Sequence, residues 1–160
     1  MKIARLIIAC GLTLGAQGAF AQTCASPLAL IAGSTSGDTC SATNELGTIC
    51  IFGSSPANDI VYSVTFLTPY TATSVALTNN TPAWNAAMLL LQGACNGNTP
   101  CPRNADANGA GGNEVLDVSG LAAGSYLLVV TSTNGDPGCG SYGLIVNGGV
   151  PVELQSFDVT

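Results

Sequence analysis

Between Asp59 and Phe66 the chain alternates: Ile60, Tyr62, Val64 and Phe66 fall on one side, Val61, Ser63 and Thr65 on the other. A two-residue period buries one face only in an extended strand, and β-branched and aromatic side chains suit a pleated surface. Thr73, Val75 and Leu77 repeat the alternation after Thr68-Pro69-Tyr70, which predicts a turn and an antiparallel neighbour. Glu114–Val118, Ser125–Thr131 and Tyr142–Val146 continue it, and Pro27–Ala32 and Thr48–Phe52 predict two earlier strands. Ala83–Gln92 contains good helix formers, but it is short, ends at Gly93 and lies between strand-like segments; it reads as a buried strand. Seven or eight short strands separated by turns such as Asn134-Gly135-Asp136-Pro137-Gly138 predict an all-β chain: a single antiparallel β-sandwich, jelly-roll-like.

The first 21 residues do not belong to that pattern. Lys2 and Arg5 precede the apolar run Leu6–Leu14, and Ala19-Phe20-Ala21 places small residues at the −3 and −1 positions of a cleavage site. This is the layout of a secretory signal peptide over 1–21, with the mature chain starting near Gln22. The run is too short and too interrupted by Gly15, Gln17 and Gly18 for a membrane anchor, and no membrane span is expected after cleavage. Cys10 leaves with the leader, so Cys24, Cys40, Cys50, Cys95, Cys101 and Cys139 remain. An even set in an exported chain predicts three disulfides, and the alternative of a zinc site lacks both histidine and any Cys-x-x-Cys pair. Cys95 and Cys101 are expected to pair across their short loop, leaving the connectivity of Cys24, Cys40, Cys50 and Cys139 open. Residues 22–148 then form one disulfide-stapled domain, with 149–160 as a tail or linker containing Pro151-Val152-Glu153-Leu154.

Charge narrows the partners. Without Lys2 and Arg5, Arg103 stands alone against nine carboxylates, a balance of −8. Phosphate neutralisation needs clustered cations, so nucleic acid and anionic lipid are excluded as expected partners; extracellular proteins and neutral glycans are not. Catalysis is equally constrained. The chain contains no histidine and its lysine lies in the leader, which removes the Ser-His and Ser-Lys arrangements. Carboxylates remain, but Glu114 and Asp117, the nearest pair, fall on opposite faces of a strand. A small carboxylate-based hydrolase is therefore the weakest reading, and no catalytic residue is assigned.

Gly93–Gly112 reads as a long polar loop. Asn104, Asp106, Asn108 and Glu114 supply the oxygen chemistry of a calcium site, the only cofactor considered for this chain. The ligand set is incomplete: counting Asp106 as position one, position five is Ala110 and no glutamate stands at position twelve, so a solvated polar loop is the favoured reading. Among the aromatics, Trp84, Tyr62, Tyr126 and Tyr142 sit in or beside strands and read as core. Tyr70, in the Pro-containing turn, is the candidate for stacking on a ligand.

Asn58-Asp59-Ile60-Val61-Tyr62-Ser63-Val64 is followed in order by Ala83-Trp84-Asn85-Ala86-Ala87-Met88-Leu89-Leu90 and Gly93-Ala94-Cys95. Leu121-Ala122-Ala123-Gly124-Ser125-Tyr126-Leu127-Leu128-Val129-Val130 and Cys139-Gly140-Ser141-Tyr142-Gly143-Leu144-Ile145-Val146 come next. Over roughly Cys24–Asn147 this ordered set resembles the bacterial pre-peptidase C-terminal domain family. The resemblance implies a secreted or surface-exposed (or periplasmic) β-sandwich that assists binding to protein or polysaccharide, or assists secretion, with calcium bound in some members. Asn85 replaces the usual acid of the Trp84 motif, and Pro102-Arg103-Asn104-Ala105-Asp106 holds a single acid, so the calcium site carries over poorly. The expected function is a secreted, non-catalytic binding or accessory module; a structural or surface-assembly subunit is the alternative.

Overall fold

The computed structural model describes residues 22–30, 33–50, 53–66, 74–133 and 136–148. The leader, the tail and Tyr70 lie outside the described residues. Eleven strands are formed among them: β1 Leu28–Ala29, β2 Gly33–Asp38, β3 Thr48–Ile49, β4 Gly53–Ser54, β5 Ile60–Phe66, β6 Ser74–Asn79, β7 Ala86–Leu91, β8 Arg103–Ala105, β9 Glu114–Asp117, β10 Gly124–Ser132 and β11 Ser141–Asn147. They assemble as a five-stranded sheet, β1-β5-β10-β7-β8, packed on a four-stranded sheet, β2-β11-β6-β9, with β3 and β4 as a separate pair. Every pairing is antiparallel except β1 with β5. From β5 onward, successive strands switch sheet at each connection except β7–β8, which is the jelly-roll-like habit expected from the sequence.

The 74–79 strand is not the in-sheet neighbour of 60–66 that its spacing predicts. β1 and β10 occupy both hydrogen-bonding edges of β5, so β6 crosses into the opposite sheet between β11 and β9. There Val75 and Leu77 face Tyr62 and its neighbours across the sandwich instead of along one sheet. The inner core joins Ile60, Tyr62, Val64, Phe66, Met88, Leu90, Tyr126, Leu128 and Val130 to Val75, Leu77, Leu116, Tyr142, Leu144 and Val146. Within it, the Tyr62 and Tyr142 hydroxyls hydrogen-bond each other at 2.9 Å. Burial pushes both phenols above the ordinary tyrosine range, Tyr62 by loss of solvation above all.

All six residues of β7 are buried, which explains why Ala86-Ala87-Met88-Leu89-Leu90-Leu91 shows no alternation. Their second face carries its own core: Leu89, Leu91, Val61 and Val129, flanked by Leu127 of β10, pack beneath Leu46, Cys24, Cys50, Cys95 and Cys101. The lid over this face is irregular chain, and disulfides hold it. Cys24 pairs with Cys95, Cys50 with Cys101 and Cys40 with Cys139, with Cα separations of 5.5, 6.1 and 4.9 Å. This corrects the expected Cys95–Cys101 bridge. Their loop is already closed without it, by the Gln92 N–H to Pro100 carbonyl and the Thr99 hydroxyl to Ala94 carbonyl bonds. Both cysteines therefore reach outward to different segments, closing separations of 71 and 51 residues. Bridges of that span restrict the denatured chain by roughly 4 kcal/mol each in the chain-entropy picture, against roughly 2 kcal/mol for a six-residue loop.

Candidate functional site

The richest polar arrangement stands where β7 begins, β8 ends and β10 ends. Trp84, one percent exposed, packs against Tyr142 with ring centroids 6.0 Å apart, and its carbonyl accepts from Asn79 Nδ2 and the Gly111 N–H. That fixes Asn85 as the residue entering β7. The Asn85 carbonyl accepts from Ser132 Oγ at 3.0 Å and from the Thr133 N–H at 3.2 Å. Ser132 Oγ also lies 2.9 Å from Asp136 Oδ2, which reaches the Asn85 N–H at 3.4 Å, while Asp136 Oδ1 accepts the Gly138 N–H. Thr133 Oγ1 donates to Asp106 Oδ2. Four side chains and the main chain of Asn85, from three segments, thus form one hydrogen-bonded network, and the buried Asn85 Oδ1 within it has no partner.

The residues weighed for calcium are only partly gathered. Asp106, Asn108 and Glu114 belong to one loop, whereas Asn104 sits in β8 opposite Leu89, on the outer side of the sheet. Glu114, one percent exposed, uses one oxygen on the Ala107 N–H and the other on the Asn108 N–H, both at 2.8 Å. Asn108 Nδ2 donates to the Asn113 carbonyl. These contacts close the turn on itself, and Asp106 turns away to Thr133. Among the described residues, no three Asp, Glu or Cys side chains are grouped as a metal site.

Of the other acids, Asp117 is exposed on β9, opposite in facing to the buried Glu114. Its hydrogen bonds with Ser119 hold its carboxyl below the usual range. Trp84, Tyr62, Tyr126 and Tyr142 are all buried, as their strand positions predict. The Asn85–Asp136 network was not foreseen as a unit. Its signals were present but scattered: an amide after the lone tryptophan and an aspartate inside a dense turn.

No protein-family model, no curated protein and no solved structure matches this chain. Nor is any helix among the described residues long and apolar enough to cross a membrane.

Proposed function

We propose that the chain is a secreted, non-catalytic binding or accessory module that takes an extracellular polysaccharide or protein at the Asn85–Asp106–Thr133–Asp136 end of the sandwich, which the buried Ser132 supports from beneath. The observation carrying this reading is the network itself. Polar groups anchored on the ends of three strands are held in place before any partner arrives, which lowers the ordering cost of binding. Amide, hydroxyl and carboxylate oxygens suit hydroxyl-rich and peptide ligands, which need several convergent hydrogen-bonding groups. Three disulfides support an oxidising, extracellular setting. The absence of histidine from the sequence supports a role without acid–base chemistry at neutral pH, and the resemblance to pre-peptidase C-terminal domains supports the accessory role.

The test is an array of neutral polysaccharides and matrix proteins probed with the oxidised chain, followed by calorimetry on any hit. Asp136→Ala and Asp106→Ala should each weaken binding about tenfold or more, since a lost hydrogen bond to a charged group is worth roughly 1.5–3 kcal/mol. Circular dichroism should remain unchanged. Binding to no member of the array, or binding indifferent to both substitutions, would sink the assignment.

A further inference from the structure

Gln22, which removal of the leader makes the first residue of the mature chain, is held in place by its own backbone. Its carbonyl accepts the Val61 N–H of β5 at 2.9 Å, and two residues on the Cys24 N–H donates to Glu45 Oε2 at 3.3 Å. Thr43 occupies the same edge of β5 one step earlier: the Asp59 N–H donates to the Thr43 carbonyl at 2.9 Å, and the two residues form an antiparallel bridge. β1 takes the edge one step later, at Tyr62 and Ser63. Gln22 therefore sits between the Thr43–Asp59 bridge and β1.

Two carboxylates meet at this place without a side-chain cation. Asp59, one percent exposed, gives Oδ2 to the N–H groups of Glu45 at 2.8 Å and Leu46 at 2.9 Å. Its Oδ1 meets the Thr131 hydroxyl outside hydrogen-bond geometry. Glu45 is fixed by the Thr43 hydroxyl at 2.7 Å as well as by Cys24. The side-chain oxygen of Gln22 is also buried and has no hydrogen-bond partner among the described residues. β1 brings only Leu28 and Ala29. Arg103, the one cation among the described residues, is engaged with the Pro102 and Ser119 carbonyls. A carboxylate withdrawn from water needs a positive partner or a full set of donors, and here oxygens are in excess of both.

We propose that the missing counter-charge is the amino terminus itself: cleavage after Ala21 leaves an ammonium on Gln22 that docks against the Glu45 and Asp59 carboxylates and fastens the Thr43–Cys50 cover from its edge. The inference rests on the reading that the leader is removed on export. Hydrolysis divides one water between the two products, a carboxylate on Ala21 and an ammonium on Gln22. The uncleaved amide offers one N–H and no charge at that nitrogen; the ammonium offers three donors and a full positive charge. The nitrogen is two bonds from the carbonyl carbon that Val61 tethers, so it stays at the β5 edge after the cut. Leu46, next to Glu45, caps Val61, Leu89, Leu91 and Val129. Processing thus tightens the cover over the outer core as well as releasing the chain.

Lys2 leaves with the leader, so the α-amine is the sole primary amine of the mature chain, and competitive acylation of the exported, oxidised protein titrates it without interference. A free α-amine titrates at about 7.7–8.0. The docked one should titrate about one unit higher or more, and Glu45→Gln should bring it most of the way back. Inserting Ser-Gly between Ala21 and Gln22 carries the ammonium off the edge. Its titration should become ordinary, and hydrogen-exchange protection of the Glu45 and Leu46 amides, relative to Leu128, should fall about tenfold, the size of one hydrogen bond to a charged group. In a Glu45→Gln background the same insertion should matter much less. An ordinary titration in the wild type, or equal protection with and without the insertion, overturns the docking and leaves export standing. So does a first residue without its amine, cyclised by a bond from the α-nitrogen to the Gln22 side-chain carbonyl carbon with loss of ammonia. Should the inserted chain fail to fold, a Glu45→Gln titration that stays put or moves upward overturns it equally. Mass spectrometry separates the other failure: an exported product that keeps residues before Gln22 overturns both the docking and the leader cleavage on which it rests.

Discussion

Leu89 and Leu90 are adjacent in β7, point to opposite faces and are both essentially inaccessible, at 0 and 1 percent exposure. Leu90 belongs to the core between the sheets; Leu89 belongs to the core beneath the disulfide-held cover. If that cover creates a true interior, Leu89→Ala must cost as much as a substitution in the sandwich centre. Three carbons are withdrawn from an apolar site at ~0.8 kcal/mol each, or ~2.4 kcal/mol. The residual void adds ~24 cal/mol per Å³ where neighbours do not collapse, which places the total between about 2 and 5 kcal/mol. Val61, Leu91 and Val129 are held in strands and relax little, so the upper half of that range is expected. Against a total stability of about 5–15 kcal/mol the loss is large. Urea unfolding of the oxidised protein, followed by tryptophan fluorescence and circular dichroism, measures it. Leu90→Ala is the internal standard. A Leu89→Ala midpoint corresponding to less than about 0.5 kcal/mol is what a surface substitution gives. That result would show the outer face to be wet and remove the second core from the description.

Tyr142→Phe should cost about 1–3 kcal/mol by leaving the Tyr62 hydroxyl unpartnered in the core, and Tyr62→Phe with Tyr142→Phe should cost less than the two singles added; a double-mutant cycle in urea decides. Because burial raises both phenols, stability should fall as pH climbs past about 10, where unfolded tyrosines ionise and these do not; thermal melts against pH check the sign. Gly140→Ala should lower the melting temperature, since an added Cβ would lie 2.5 Å from Trp84 Cε3 and 2.7 Å from Thr81 Cβ; overpacking of this kind costs about 1–3 kcal/mol. Non-reducing peptide mapping should recover Cys24–Cys95, Cys40–Cys139 and Cys50–Cys101, and a Cys95–Cys101 peptide would contradict the fold as described.

The strands that the sequence displays are those with water on at least part of one face. β9 and β11 alternate along their length, β5 and β10 only where the cover leaves them open, at Ser63, Thr65 and Ser125, and each lies within a residue or two of its expected span. β2, Gly33-Ser34-Thr35-Ser36-Gly37-Asp38, carries no such signature. It is an edge strand of small polar residues; Gly37 is required because Tyr142 Oη lies 2.5 Å from where its Cβ would stand. β8 is three residues long inside a segment whose composition reads as loop. The pairing of β5 was also illegible. Alternation shows that a strand has a buried face, but sheet-mates and strands facing across a core satisfy that requirement equally. The Asn85–Asp136 network escaped for the same reason, since its members are up to 51 residues apart and meet only through strand register.

A sandwich whose central strand is buried on both sides needs a third layer, and composition limits what that layer can be. Parallel α/β sheets meet the same need with helices. Here no α-helix is formed among the described residues, and the cover consists of Gln22–Ser26, Thr43–Cys50 and Ala94–Cys101, with β3 and β4 as its only ladder. Irregular chain over an apolar face has unfilled backbone groups and little to hold it down. The Asp59 carboxyl answers the first difficulty, by accepting two of those backbone N–H groups inside the protein. Two of the three disulfides answer the second, joining the cover to itself across the face. The third, Cys40–Cys139, ties the one-turn 3₁₀ helix Thr39–Ser41 to the approach of β11, where Thr39 and Gly140 exchange hydrogen bonds at 2.9–3.3 Å. The four cysteines of the cover thus join segments that no strand ladder joins, and this is why a pairing inferred from closeness in sequence fails: Cys95 and Cys101 stand in a loop that hydrogen bonds already close.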